Sequence, residues 1–109
     1  MLATWLLLAS AIVCEVAGTT SMKLSQGFSR LAPSIMIFCF YGLSFVLLTL
    51  VLKTLEVSTV YAVWSGLGTS LIAVIGVLYF SEAMSWPKVL GIALVVSGVV
   101  LINLGDARL

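Results

Sequence analysis

Residues 57–81 read VSTVYAVWSGLGTSLIAVIGVLYFS, 25 positions without a charged side chain. A helix needs about 20 predominantly apolar residues, range roughly 17–25, to cross the hydrocarbon core of a bilayer. The run is continuous rather than alternating, which argues against a barrel strand. Lipid offers backbone groups no partners, so a spanning segment of this kind is helical. Its flanking acids, Glu56 and Glu82, belong to a set of nine charges with Glu15, Lys23, Arg30, Lys53, Lys88, Asp106 and Arg108. Setting Glu15 aside, the charges divide the chain into uncharged stretches 1–22, 31–52, 57–81 and 89–105, of 22, 22, 25 and 17 residues. These use 86 of 109 residues and leave no room for an extramembrane domain.

Composition agrees. Hydrophobic residues make up 62% and charged residues 8%, against roughly 45–50% and about 25% in soluble domains. This excludes a soluble globular protein, a nucleic-acid binder and a disordered tail. The expected fold is an all-α membrane protein, a single domain of four transmembrane helices at about 2–22, 31–52, 57–81 and 87–105. Pro33 and Pro87 lie near the starts of the second and fourth spans, where a missing N–H costs little. Short connections predict antiparallel hairpins. The first span has no basic n-region and contains an acid, so it is expected to be a retained helix rather than a cleaved signal. Cys14 and Cys39, inside spans, are expected to be small packing residues. The chain has no histidine, metal-ligand cluster, phosphate loop or Ser-His-Asp set. Neither an enzyme, a cofactor nor an ATP-driven pump is expected.

Four spans place both termini and the 53–56 loop on one side, with Lys53 and Arg108. The opposite side has Lys23, Arg30 and Lys88, three basic residues against two. Orientation follows this bias, and a bias of one residue leaves insertion both ways open.

Glu15 is the only ionisable carboxylate or amine within a span. A charge near the bilayer centre costs roughly 2.5–3.5 kcal/mol on insertion scales, so such acids are functional by default. Helical spacing puts Leu8, Ala11, Ile12, Gly18 and Thr19 on its side. Several are small, which suits either a pocket or a close helix contact. Phe38, Tyr41, Ser44 and Phe45 share a face in the second span, and Tyr61 and Trp64 are i, i+3 neighbours in the third. Ring faces attract an organic cation by about 0.5–1 kcal/mol, and by about 2 when dry. One carboxylate with aromatics suits a lipophilic cation better than a bare metal ion, which wants several oxygens. Gly66 and Gly68 permit a hinge or close packing in the third span. Gly91, Leu94, Gly98, Leu101 and Gly105 form a seam suited to helix association in the fourth.

Four helices are few for a gated path, and a dimer has eight. A chain that inserts both ways can form an antiparallel homodimer whose inverted halves exchange conformations, as inverted repeats do in many transporters. Such a dimer brings two Glu15 carboxylates together, and the pair titrates as a unit.

The run Glu15-Val16-Ala17-Gly18-Thr19-Thr20-Ser21-Met22-Lys23 resembles the first helix of the small multidrug resistance transporters. Ser25-Gln26-Gly27-Phe28-Ser29-Arg30, Tyr61-Ala62-Val63-Trp64-Ser65-Gly66-Leu67-Gly68 and Gly98-Val99-Val100-Leu101-Ile102-Asn103 resemble later parts of that family. The resemblance covers essentially the whole chain. It implies proton-coupled export of lipophilic and quaternary ammonium cations by an antiparallel, dual-topology homodimer in a bacterial inner membrane. The family's embedded glutamate maps onto Glu15, which holds either protons or drug. Its pocket maps onto Leu8, Ala11, Ile12, Gly18, Thr19, Tyr41, Ser44, Phe45, Tyr61 and Trp64. Its hinge maps onto Gly66 and Gly68, and its dimer seam onto Gly91 and Gly98. Trp5 stands where drug exporters often have Tyr. The family's guanidinium-exporting branch typically has Trp-Ala where this chain has Gly18-Thr19, so the resemblance implies the drug-exporting branch. The competing readings are that guanidinium-type exporter, a small oligomeric proton or cation channel lined by Glu15, and a structural subunit of a larger membrane complex.

Overall fold

The computed structural model describes residues 2–108. It contains α1 (Leu2–Leu24), α2 (Leu31–Val51), α3 (Val57–Tyr79) and α4 (Trp86–Arg108), with no strand among the described residues. Each helix is long and apolar enough to cross a membrane, α4 over Trp86–Gly105. The chain divides into two units, one ending at Leu55 and the other beginning at Glu56. The first pairs α1 with α2 and the second α3 with α4.

In the first hairpin, Ala11, Gly18 and Ser25 are buried along one line, and Ile37, Ser44 and Val51 along the other. Both lines repeat every seven residues, the spacing that keeps a seam turned to its partner. Leu8 and Ile12 fill the seam and are 1% exposed. Gly18 sets the approach of the helices: a Cβ there would stand 3.3 Å from Phe40 Cβ and 3.4 Å from the Tyr41 ring. One polar rung crosses the seam, where the Ser44 hydroxyl donates to the Ala11 carbonyl at 2.8 Å. Bonds of this kind in membranes contribute about 0.6 kcal/mol on average and up to about 1.7.

Ser25 ties the turn between α1 and α2. Its carbonyl accepts the Ser29 and Arg30 N–H groups at 2.9 and 3.1 Å. Its hydroxyl donates to the Met22 carbonyl at 2.8 Å and accepts the Phe28 N–H at 3.2 Å. Three successive residues, Gln26, Gly27 and Phe28, have φ of 49°, 71° and 65°. Only glycine takes that left-handed conformation without steric cost.

The second hairpin packs through small residues. Val60, Val63, Gly66, Ala73 and Gly76 are buried on α3, and Val99 of α4 seats over Gly66. Helix α3 ends at Tyr79, and Ser81 (φ 57°) turns left-handed so that the Glu82 N–H reaches back to the Gly76 carbonyl at 2.9 Å. Glycine usually fills such a helix-ending position. The Glu82 carboxylate lies over Gly76 and faces Lys88 Nζ at 3.8 Å. Ser85 caps α4, its hydroxyl accepting the Lys88 N–H at 3.4 Å. No residue of 86–105 is fully buried within the chain.

Candidate cation and proton site

Helix geometry places Thr19 one turn beyond Glu15 on the same face. On α1, Ser10, Thr20 and Ser21 donate to the carbonyl four residues back, the usual recourse of a hydroxyl inside a helix. Thr19 turns instead to the carboxylate, donating to Glu15 Oε1 at 3.0 Å. The Tyr41 hydroxyl lies 2.5 Å from Thr19 Oγ1. A hydroxyl has one proton. With Thr19's proton on Glu15, the short contact is supplied by Tyr41. Glu15, Thr19 and Tyr41 are all half-buried.

Gly18 lies against this contact, with a Cβ there 3.4 Å from the Tyr41 ring and 3.3 Å from Phe40 Cβ. The ring stacks on Phe45 with centroids 5.9 Å apart and planes inclined by 28°, an offset arrangement favoured by ring quadrupoles. A carboxylate, two hydroxyls and a stacked ring pair therefore stand together on one hairpin. The carboxylate offers charge to a cation or a basic group to a proton, and the rings offer π faces.

The remaining residues expected at the site divide by location. Leu8, Ala11, Ile12 and Ser44 are 1% exposed or less and form the interior of the first hairpin beside Glu15. Phe45 is 58% exposed. Tyr61 and Trp64 belong to the second unit, on α3, with Tyr61 73% exposed and Trp64 half-buried. Gly66 and Gly68 lie within the continuous helix α3. Gly91 and Gly98 have open space where a Cβ would be. Trp5 is exposed near the start of α1. Cys14 and Cys39 are free thiols.

Met22 was not among the residues expected at the site. Its sulfur lies 3.7 Å from the Tyr41 hydroxyl, an acceptor within reach should the phenol proton turn away from Thr19. Its position three residues beyond Thr19 was the available signal.

Four spanning helices define a multi-pass membrane protein. The profile of the Small Multidrug Resistance protein family matches residues 3–95, and the chain belongs to that family. It is 54% identical over 100 residues to the uncharacterized membrane protein YvaE of Bacillus subtilis, covering 92% of this chain and 84% of the relative. It is 46% identical over 103 residues to the nicotine metabolites export pump subunit NepA of Paenarthrobacter nicotinovorans, covering 94% and 89%. It is 46% identical over 100 residues to the quaternary ammonium compound-resistance protein QacE of Escherichia coli, covering 92% and 91%.

Proposed function

We propose that this protein exports lipophilic and quaternary ammonium cations in exchange for protons, by alternating access of an antiparallel homodimer. The observation that carries the reading is the half-buried Glu15 carboxylate, hydrogen-bonded by Thr19 beside the Tyr41–Phe45 ring pair. A proton and a cation compete for one carboxylate, so each weakens binding of the other by the same factor. Release of one on the side where the other is abundant drives exchange. Tyr61 and Trp64 supply further ring faces, Gly66 and Gly68 supply the hinge, and α4 joins two chains along Gly91 and Gly98. The exposed α4 and the open space at both of these glycines favour that seam. The quaternary ammonium compound resistance and the nicotine-metabolite export named for two relatives favour organic cations as cargo.

Purified protein in proteoliposomes tests the reading. An imposed pH gradient should drive a quaternary ammonium ion uphill, with counterflow of protons. Proton leak without obligate exchange would replace the antiporter by a channel. Exchange confined to guanidinium ions would replace the drug exporter by the family's other branch. Inactivity of the pure chain would make it a subunit.

A further inference from the structure

Glu15 Oε1, Thr19 Oγ1, Tyr41 OH and Met22 Sδ form one hydrogen-bonded chain with links of 3.0, 2.5 and 3.7 Å. The chain has two directions. An ionised carboxylate only accepts, so Thr19 donates to Glu15 and Tyr41 donates to Thr19. A protonated carboxyl can donate instead. Its proton then points at Thr19, the Thr19 proton at Tyr41, and the Tyr41 proton at the Met22 thioether, which only accepts. Met22 thus gives the reversed chain a place to end, where the phenol proton would otherwise face an apolar surrounding at a cost.

We propose that Thr19 is a positioning residue that reverses the Glu15–Thr19–Tyr41–Met22 chain each time Glu15 gains or loses its proton. The reversal needs rotation of two hydroxyls; the one proton gained or lost is that of Glu15. The inference rests on the reading that Glu15 titrates during transport. Of the ionisable side chains on α1, α2 and their turn, namely Cys14, Lys23, Arg30, Cys39 and Tyr41, Tyr41 is the member of this chain. With Glu15 ionised, the Tyr41 oxygen donates its proton and keeps its lone pairs free. With Glu15 protonated, a lone pair is occupied by the Thr19 proton. The phenol oxygen and the carboxylate therefore become more attractive to a cation together and less attractive together. This sharpens the choice between proton and cargo beyond what the carboxylate does alone.

The experiment is carbon-13 NMR of full-length protein in bicelles, labelled at tyrosine Cζ and glutamate Cδ. The Tyr41 signal is assigned by its loss in Tyr41→Phe. In the wild type, Tyr41 Cζ should shift with the same midpoint as Glu15 Cδ. Thr19→Ser should keep that shift, and Thr19→Val should lose it. Met22→Leu alters an exposed residue (42% accessible) and should shrink the shift by removing the terminal acceptor. A full shift of Tyr41 in Thr19→Val, or an unaltered shift in Met22→Leu, overturns the proposal, since the carboxylate charge then acts through space. A titrating Glu15 beside an unresponsive Tyr41 overturns it as well. A Glu15 Cδ signal that does not titrate overturns the transport reading instead, so the two failures are distinct.

Discussion

Val99 of α4 occupies the place where a side chain on Gly66 of α3 would begin: a Cβ at Gly66 would lie 2.6 Å from Val99 Cγ2. The two helices meet there through an absent side chain. Gly66→Ala should destabilise the second hairpin by about 1–3 kcal/mol, the cost of overpacking. Val99→Ala in the same chain should recover most of that loss, because the clash is with one methyl group. Unfolding in mixed micelles, on both single variants and the double, measures the coupling. Additive losses would remove the contact from the account.

Gly68 differs in having room, with Trp64 Cδ1 at 3.9 Å from an added Cβ. Gly68→Ala should leave packing intact and strengthen α3 by about 1 kcal/mol, the helix preference of Ala over Gly. If Gly68 is a hinge, transport should fall while stability holds or rises. Full transport by a stabilised Gly68→Ala protein would end the hinge assignment.

Acidification should weaken cation binding. A proton on Glu15 removes the negative charge the cation needs, so affinity should fall by about tenfold per pH unit for each proton displaced, below the titration of Glu15. Glu15→Gln should bind weakly and without pH dependence. Isothermal titration in two buffers of different ionisation enthalpy reads the proton release. A Glu15→Gln protein that still pumps cations uphill on a pH gradient would sink the mechanism.

Trp64→Ala should weaken a flat aromatic cation by roughly 1–2 kcal/mol, or about 5–30-fold, the scale of a dry cation–π contact with stacking. Trp64→Phe should retain part of the affinity. Equal affinities for all three proteins would return Trp64 to packing.

The Lys/Arg count is three against two across the membrane, which predicts insertion with little bias. Two lysines added beside Arg108, with Lys23 and Arg30 removed, make the count four against one in the other sense. That variant should be inactive alone, as should one biased in reverse, and their coexpression should restore resistance to a toxic quaternary ammonium compound. Cysteine labelling from each side reports orientation. One-sided labelling of the wild type, with each biased variant active by itself, would replace the antiparallel dimer with a parallel one.

The four helices were legible because charge is the costliest thing to bury in lipid, and the charges at Lys23, Arg30, Lys53, Glu56, Glu82 and Lys88 mark where the chain leaves it. Glu15 stood out for the same reason in reverse. Helical spacing also brought Thr19 to its face, and the structure adds the bond between them. What spacing on one helix could not supply was partnership across helices. That Tyr41 completes a bond to Thr19, and that Ser44 donates to the Ala11 carbonyl, depend on how α1 and α2 are registered. That register is set by the turn at Ser25, where Gln26 and Phe28 adopt a backbone conformation their residue types do not advertise.

The Ser25 turn also bears on the orientation of the chain. It joins α1 to α2 through the six residues 25–30, a connection far shorter than the membrane is thick. In a hairpin that spans the membrane, Lys23 and Arg30 at its two ends stand at one face. An inverted copy of the hairpin would therefore carry both charges to the other face together.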